Sequence, residues 1–370
     1  MIIKNIVRQS FKVSQIGLGC MGMSDRFYMK VLYILLLTGV LFAQSKDSLR
    51  YPEEKNLRNV RMLTNGGKNA EAYLSFDEKK LIFQSTRDSF KCDQIFTMNI
   101  DGSDVRLVST GKGKTTCSYF LPGDSLIIYA STHLADPDCP PPVDRSKGYV
   151  WKLYNTFDIF LARIDGTIIK RLTDADGYDA EGTVSPKGDK IVFTSTRDGD
   201  PEIYTMNLDG TDQKRLTYMK GYDGGPFFSL DGKKIVFRAS RPKTAKDSVD
   251  YNDLVQNGYV RPTALEIYTM DADGKNMHQV TSNGKANFAP FFFPSAKKVI
   301  FCSNLGAKDG RSFNLFAIKT DGTGLEQVTY NAAFDGFPIF TKDGKRLIFV
   351  SNRFAKTPGD INIFIADWVN

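Results

Sequence analysis

Acidic or amide residues and basic residues recur at fixed distances along most of the chain. One set stands at the start of a recurring short strand and comprises Asn69, Thr115, Asp179, Asp223, Asn287 and Asp335. The other set follows the next strand and comprises Arg87, His133, Arg197, Arg241, Leu305 and Arg353. Opposite charges at matching offsets can form Asp–Arg ion pairs within or between repeats. They can also line a polar funnel that binds a ligand or a cation such as calcium, and Thr115, His133 and Leu305 interrupt the pattern as such a site would.

Groups suited to catalysis are few. The chain has two histidines, His133 and His278, and no Gly-x-Ser-x-Gly motif, so the sequence does not indicate a Ser-His-Asp triad. Glu71 and Glu181 stand at equivalent positions of two repeats and could act as an acid–base pair, although both also suit a solvated loop. These observations favour a binding or scaffold protein over an enzyme, and they indicate no resident cofactor.

The elements that position these residues are predicted from the segment Lys170–Thr217. Two copies of Lys-Arg-Leu-Thr enclose short alternating or β-branched runs, which Gly- and Asp-containing turns separate. Runs of this length that are separated by Gly- and Asp-containing segments predict strands joined by turns. We term these strands a, b, c and d, and they are Gly182–Ser185, Asp189–Ser195, Glu202–Asn207 and Gln213–Thr217.

The unit recurs six times, and a repeat of this kind determines the fold. Strand b recurs as Lys80–Ser85, Ser125–Ser131, Lys190–Ser195, Lys234–Ser240, Lys298–Ser303 and Arg346–Ser351. The sixth copy ends at Asn370 without a strand d, whereas Asn59–Thr64 has the pattern of a strand d and precedes the first strand a. Pairing of this segment with the last strand c would remove an open sheet edge. The sequence therefore predicts an all-β, six-bladed β-propeller over residues 59–370 that an N-terminal strand closes.

The repeat resembles that of the TolB-type propeller family. The shared pattern is Leu-Thr, Ser-Pro-x-Gly, hydrophobic-Phe-x-Ser-x-Arg, Ile-Tyr-x-Met and Asp-Gly, and residues 172–210 carry it in full. The resemblance covers about residues 59–370 and implies a non-catalytic module of the cell envelope that binds a protein or peptide, as in protein transport. An envelope hydrolase or lyase with a carboxylate-lined funnel is one alternative, and a propeller that binds a small ligand or a sugar is another.

The two faces of the predicted propeller differ. Strand direction alternates within a repeat, so the b–c and d–a loops lie on one face and the a–b and c–d turns lie on the other. Both long insertions are b–c loops, at residues 133–156 in the second repeat and about 242–264 in the fourth. Loops lengthened on one face of a repeat array are typical of the binding face. The opposite face carries short polar turns, which we expect to be exposed to solvent.

The first insertion carries the aromatic residues Tyr149, Trp151 and Tyr154. Tyrosine and tryptophan often anchor interfaces, so these side chains could contact a partner. They could equally pack onto the propeller and fix their own loop. We expect the partner to be an envelope protein or peptide, and we expect the chain itself to be monomeric.

Three cysteines, Cys92, Cys117 and Cys139, map to the same face as the insertions. In an oxidising compartment two of them could form a disulfide that holds the first insertion, and the spacing does not decide which two. Cys302 lies inside a strand b and is expected to be a small buried hydrophobic residue. A zinc site would need ligands beyond these thiols and His133, so we expect no metal there.

The N-terminal region differs from the repeats. Residues 29–43 have a charged start, an apolar run of about twelve residues and a small residue at the end, which predicts a secretory signal peptide. The run is too short for a membrane-spanning helix, so the mature chain should have no integral membrane segment and should be periplasmic or secreted. Residues 11–24 resemble the first strand of aldo/keto reductases, and we interpret residues 1–28 as a leader that is not part of the functional protein. Residues 44–58 are expected to be a linker.

The net charge of the chain is +7. Residues 1–43 contain five basic residues and one acidic residue, so this region contributes +4 of the total. A nucleic-acid site needs clustered lysine and arginine, and the repeats show no such cluster. We therefore expect no nucleic-acid partner.

The export signal gives the first prediction. Expression in a Gram-negative host should yield a periplasmic protein whose first residue is near Gln44, because signal peptidase removes the apolar run. N-terminal sequencing and mass measurement of the soluble product test this. A soluble, functional protein that retains Met1 would contradict it.

Overall fold

The computed structural model describes residues 47–144 and 146–370. The predicted leader, the predicted signal peptide and the first residues of the predicted linker lie outside the described residues. Within the described part, none of the helices combines the length and the apolar character needed to cross a lipid bilayer.

Six four-stranded antiparallel sheets follow one another along the chain, and each sheet is one blade of a propeller. Strand β1 (Leu57–Met62) precedes blade one, which contains β2 (Lys68–Leu74), β3 (Lys80–Thr86), β4 (Gln94–Asn99) and β5 (Arg106–Leu107). Blade two contains β6 (Thr115–Phe120), β7 (Leu126–Ser131), β9 (Asp158–Arg163) and β10 (Ile168–Arg171), and β8 (Trp151–Lys152) lies in its insertion. Blade three contains β11 (Asp179–Val184), β12 (Lys190–Ser195), β13 (Glu202–Asn207) and β14 (Lys214–Arg215).

The remaining blades have the same order. Blade four contains β15 (Asp223–Phe228), β16 (Lys234–Ala239), β18 (Glu266–Asp271) and β19 (His278–Gln279), and its insertion contains helix α1 (Ala245–Gln256) and β17 (Tyr259–Val260). Blade five contains β20 (Asn287–Phe292), β21 (Lys298–Ser303), β22 (Asn314–Lys319) and β23 (Glu326–Gln327). Blade six contains β24 (Asp335–Phe340), β25 (Arg346–Ser351) and β26 (Asn362–Trp368), with β1 as its outer strand. The predicted six-bladed, all-β fold is confirmed.

A hydroxyl group joins strands c and d in every blade. It belongs to the second residue after strand d and accepts a hydrogen bond of 2.8–3.0 Å from a backbone N–H of strand c. The residues are Ser109, Thr173, Thr217, Thr281, Thr329 and, for blade six, Thr64. The preceding residue donates its own N–H to the same strand, as Leu216 does to the Ile203 carbonyl at 2.8 Å. The pair is Leu-Thr in three blades, Val-Thr in two and Val-Ser in one, and it supplies one apolar side chain and one hydroxyl to each blade.

Strand β1 closes the propeller by antiparallel pairing with β26. The strand begins two residues before the predicted Asn59, and Leu63 extends the pairing by donating its N–H to the Ile363 carbonyl at 2.7 Å. The predicted closure by an N-terminal strand is confirmed. Closure satisfies the edge of β26, which would otherwise expose backbone hydrogen-bonding groups.

Residues 47–56, which the sequence places in a linker, lie against blade six. The carboxylate of Glu54 accepts two hydrogen bonds from Arg353, at 2.7 and 3.0 Å, and both side chains are fully buried. Arg353 also donates to Asp335 at 2.8 Å and to the Leu49 carbonyl at 3.2 Å. Because a buried charge is stable only when it is paired, this network fixes the N-terminal segment to the last blade.

The two insertions form one structure, although the sequence predicts only loops there. Strands β8 and β17 pair with each other, so the insertion of blade two meets that of blade four. Helix α1 begins after Thr244, whose hydroxyl accepts from the Asp247 N–H while the Asp247 carboxylate accepts from the Thr244 N–H. This capping box is visible in the sequence as Thr-x-x-Asp, and it is the signal that predicts the helix.

Removal of residues 47–64 should abolish cooperative unfolding, because it leaves the edge of β26 unpaired and buries Arg353 without Glu54. The reference is the chain that begins at Asp47. We expect the shorter chain to aggregate in size-exclusion chromatography and to lose its single denaturant-unfolding transition, and a peptide of residues 47–64 added in trans should restore it.

Two outcomes would contradict the role of strand β1 in closing the propeller. If the shorter chain unfolds at the same denaturant midpoint as the reference, β1 and Glu54 contribute nothing to the stability of blade six. If the peptide fails to bind the folded remainder, the pairing with β26 is not the interaction that closes the ring.

Candidate functional site

The recurring acidic and basic residues pair within blades three, four and six. Arg197 donates to both carboxylate oxygens of Asp179 at 3.0 Å, and Arg241 donates to Asp223 at 2.5 Å. The pair in blade six is Arg353 with Asp335, described above. All three aspartates are buried, so these pairs tie strand a to the loop that follows strand b.

The other three blades lack this pair. Arg87 lies 3.8 Å from Asp88 and 5.6 Å from the centre of the Phe96 ring. His133 makes a 2.9 Å contact between its Nδ1 and the Ser131 hydroxyl, and its ring lies tilted against that of Phe160, with 4.5 Å between the ring centres. Burial and the nearby Lys112 lower the pKa of His133. In blade five, Leu305 has no charge to contribute.

A β-bulge in every strand a turns one residue toward the centre of the propeller. Its backbone is left-handed, with φ between 49° and 61°, and the residues are Glu71, Cys117, Glu181, Gly225, Ala289 and Phe337. All six line one small cavity in the central channel. Left-handed backbone costs a non-glycine residue on the order of 1 kcal/mol, so the repeated bulge is a requirement of the fold.

The channel cavity contains a charged cluster around Arg238. This arginine donates to Glu181 and, at 2.7 Å, to the Tyr222 hydroxyl. Glu181 also accepts from the Thr194 hydroxyl at 2.7 Å and from the Gly225 N–H at 2.8 Å. Glu181 therefore forms an ion pair with Arg238 inside the channel.

Glu71 lines the same cavity without such a pair. One of its carboxylate oxygens is buried and has no hydrogen-bond partner among the described residues. Burial, and then the charge of Glu181, raise the pKa of Glu71 to about 7, against the lowering effects of Cys117 and Arg238. The Cys117 thiol beside it is also buried, and burial raises its pKa well above its usual value. Glu71 can hold a proton near neutral pH, and Cys117 stays a thiol.

Sequence reasoning missed Arg238. It stands fifth in strand b, where the other blades carry Gln84, Ala130, Thr194, Cys302 and Val350. This position faces the bulge of a neighbouring strand a, as shown by Gln84, which accepts from Cys117 at 3.1 Å. An arginine inside an otherwise apolar strand is the signal that could have identified it.

The two insertions, residues 133–156 and 242–264, form a cap over the channel on the face of the b–c loops. The Trp151 ring packs edge-on against Tyr222 and Phe288, at 6.5 and 6.0 Å between ring centres. Arg238 lies 5.1 Å from the Trp151 ring. Trp151 therefore covers the charged cluster, and Tyr154 packs against Phe157 at 5.9 Å. The structure favours the packing role for both residues.

Several contacts hold the cap in place. A disulfide joins Cys92 of blade one to Cys139 of the cap, with 5.9 Å between the Cα atoms. Helix α1 is fixed by the Tyr251 hydroxyl, which donates to Asp200 of blade three. The disulfide pair was one of the combinations that the sequence left open; Cys117 is a buried free thiol, and Cys302 is fully buried as predicted.

Exposed large apolar side chains are concentrated on the face of the propeller that carries the cap and the d–a loops. We term this face the cap face. They include Tyr149, which is 57% exposed, and Val249, which is 69% exposed. The full set on this face is Leu134, Tyr149, Tyr218, Met219, Val249, Tyr330 and Phe354. Of the three aromatic residues predicted to bind a partner, only Tyr149 projects into solvent.

The described residues offer no ready metal site. Between residue 47 and the C-terminus, residue 145 apart, no three His, Cys, Asp or Glu side chains converge as metal ligands do.

The fold and the capped channel define the class of protein, a six-bladed β-propeller with a closed ring and a covered channel. A family model for the TolB beta propeller domain matches residues 150–261. A TolB homolog from Chlorobium luteolum is 39% identical over 49 residues, which cover 13% of this chain and 11% of that protein.

Solved TolB structures share the fold. A putative TolB from Agrobacterium tumefaciens has a TM-score of 0.53 and 18% identity, over 82% of this chain and 91% of that chain. TolB from Acinetobacter baumannii has a TM-score of 0.52 and 17% identity, over 81% of this chain and 63% of that chain. These structures show that the chain has the same propeller fold, and residues 150–261 match the TolB beta propeller domain.

The raised pKa of Glu71 makes stability depend on pH. The folded protein holds this proton up to about pH 7, whereas the ordinary value is 4.5, so the free energy of unfolding falls as pH rises through this range. Glu71→Gln removes the ionisable group. In urea unfolding we compare the free energies of unfolding of the variant and the native protein. We expect the difference to shift in favour of the variant by up to about 3 kcal/mol as the pH rises from 5 to 8.

Glu53→Gln is the matched control, because Glu53 is exposed. Its difference from the native protein should be the same at pH 5 and pH 8. A Glu71→Gln difference that is likewise independent of pH would show that the Glu71 carboxyl titrates as it does in water.

Proposed function

We propose that this chain is an exported, non-catalytic propeller that binds a protein or peptide of the cell envelope through its cap face. The observation that carries the proposal is the concentration of exposed apolar side chains on that face. Apolar side chains gathered on one surface, with polar residues around them, are typical of protein-binding surfaces. The TolB-like fold supports the same class of function.

The cap is suited to recognition because it is held in place before a partner arrives. The disulfide, the β8–β17 pair and the Tyr251–Asp200 hydrogen bond fix both insertions. A rigid surface loses less conformational entropy on binding than a mobile loop does. Tyr149 is the aromatic anchor that we assign to the partner, while Trp151 and Tyr154 support the loop from beneath.

The channel cluster supports a non-catalytic function. An acid–base pair needs two carboxyl groups that reach a substrate. Glu181 is committed to Arg238, and Trp151 covers the cluster on the cap face. Glu71 is therefore a buried carboxyl of the channel, and its role is structural.

The disulfide supports export. Disulfides persist in oxidising compartments such as the periplasm and are rare in the cytosol. The Cys92–Cys139 bond joins a blade to the cap, so the cap is complete only where the bond can form. This agrees with the predicted signal peptide and with a periplasmic or secreted location.

Site-specific photo-crosslinking tests the proposal. A photoreactive phenylalanine analogue replaces Tyr149 or Val249 in the full chain, and the cells are irradiated intact. We expect one envelope protein to cross-link from both positions, to be identified by mass spectrometry. In binding assays with that purified protein, Tyr149→Ala should lower the affinity at least tenfold, the loss expected of a central anchor.

The same analogue at Lys187 and Lys345, which lie in a–b turns on the opposite face, is the control. Cross-links from these positions alone would place the partner on the other face and contradict the proposal. An unchanged affinity of the Tyr149→Ala variant would show that this tyrosine is not an anchor.

A further inference from the structure

The face of the a–b turns carries an apolar pocket, although the sequence predicts only short polar turns there. The pocket occupies about 770 Å³, including the space open to solvent at its mouth. Its wall is formed by residues of the a–b turns and by the ends of the a strands, among them Phe76, Pro186, Leu230, Pro294 and Phe340. We term this pocket the bowl.

The floor of the bowl is a set of aromatic rings on the a strands. Tyr73 lies 5.6 Å from Tyr119 and 5.3 Å from Phe227, and Phe227 lies 5.6 Å from Phe291, between ring centres. Tyr73 belongs to blade one and Phe227 to blade four, so rings from opposite blades meet across the channel. The rings therefore separate the bowl from the charged cluster, and the bowl opens only on the a–b face.

Most polar groups in the wall already have partners. Thr183 donates to the Pro226 carbonyl at 2.8 Å, Ser75 to Asp77 at 2.7 Å, and Thr341 to Asp343 at 2.6 Å. At the rim, the Lys342 ammonium donates to the Phe76 carbonyl, and the Lys342 N–H donates to Glu78 at 2.6 Å. The wall thus offers a ligand mostly apolar surface, and its charged groups, Glu78 and Lys342, lie at the exposed rim.

The hydroxyl groups of the tyrosines in the floor differ from the polar groups of the wall. Neither Tyr73 nor Tyr119 makes a side-chain hydrogen bond to any described residue, and both side chains line the bowl. Tyr73 is only 6% exposed. Burial raises the pKa of Tyr119 to about 12, so its hydroxyl stays protonated and can both donate and accept. The side chains of both tyrosines line the bowl and their hydroxyl groups are not enclosed, so a ligand with one polar group can hydrogen-bond to them.

We propose that the bowl is a binding site for an uncharged small molecule with a ring-sized apolar body and one hydroxyl group. The aromatic floor and the proline, leucine and phenylalanine wall contact the body, and the hydroxyl bonds to Tyr119. The one ammonium group of the lining, that of Lys342, lies at the exposed rim, so a charged group that enters the bowl loses its hydration without meeting an opposite charge. The lining is like that of ordinary small-ligand pockets, which are mostly apolar with few polar groups.

This site is independent of the cap face. The two lie on opposite faces of the propeller, and the touching rings and the charged cluster separate them. The experiment on the bowl measures a small molecule rather than a protein partner, so its failure leaves the proposed function unaffected.

Calorimetric titration with 2-naphthol, a neutral two-ring alcohol, tests the proposal on the mature chain. We expect saturable binding at one site. Tyr119→Phe keeps the ring and removes the hydroxyl, so it should weaken 2-naphthol about three- to tenfold, the value of one hydrogen bond. The same variant should leave the binding of naphthalene unchanged, and naphthalene-2-sulfonate should bind the native chain at least tenfold more weakly than 2-naphthol.

Two further variants locate the ligand. Leu230→Asp introduces a charge on a half-exposed wall position and should abolish binding, with an unchanged melting temperature as the check on folding. Tyr129→Phe removes a tyrosine hydroxyl that lies outside the bowl, and it should bind 2-naphthol normally. The proposal is overturned if 2-naphthol does not saturate, if Leu230→Asp binds it normally, or if Tyr119→Phe weakens naphthalene equally.

Discussion

The structure depends on the pairing of one N-terminal strand with the last strand of the chain. Each of the first five blades contains its own strand d, and the Leu or Val and the Thr or Ser that follow it supply an apolar side chain and a hydroxyl to strand c. Blade six obtains both from Leu63 and Thr64, nearly 300 residues earlier in the sequence. The buried Arg353 then holds Glu54 and Asp335 together. Without this pairing the ring has a free edge, and neither the channel nor its two ends would be defined.

The bulge in strand a gives each blade one position that can vary without changing the fold. The backbone conformation is the same in all six blades, while the side chain ranges from none in Gly225 to a carboxylate in Glu71 and Glu181. These positions determine what the channel contains. In four blades the position two residues later supplies a ring of the floor, and in the other two it is Thr183 or Ile339. Strand a therefore sets both the polar cluster and the apolar floor of the bowl.

Much of the fold can be predicted from the sequence because the same pattern of strands and turns recurs in six repeats. The turns, the strand order and the closing strand are all encoded locally, and the Asp–Arg pairs of blades three, four and six follow from spacing. The cap does not, because Trp151 and Val260 are adjacent only after blade three has folded between them. The bowl is also beyond sequence reasoning, since Tyr73, Tyr119 and Phe227 come from three different blades and meet only on the channel axis.

Strand β1 has a consequence for the order of synthesis. Its residues are translated long before those of β26, so the strand leaves the ribosome without a partner and stays an unpaired edge while five blades form. Val60 faces the core, whereas Arg58 and Arg61 are exposed on the same strand. Charged residues on an unpaired edge strand oppose the association of that strand with other chains. The two arginines thus protect the nascent protein, a role that ends when the last strand arrives.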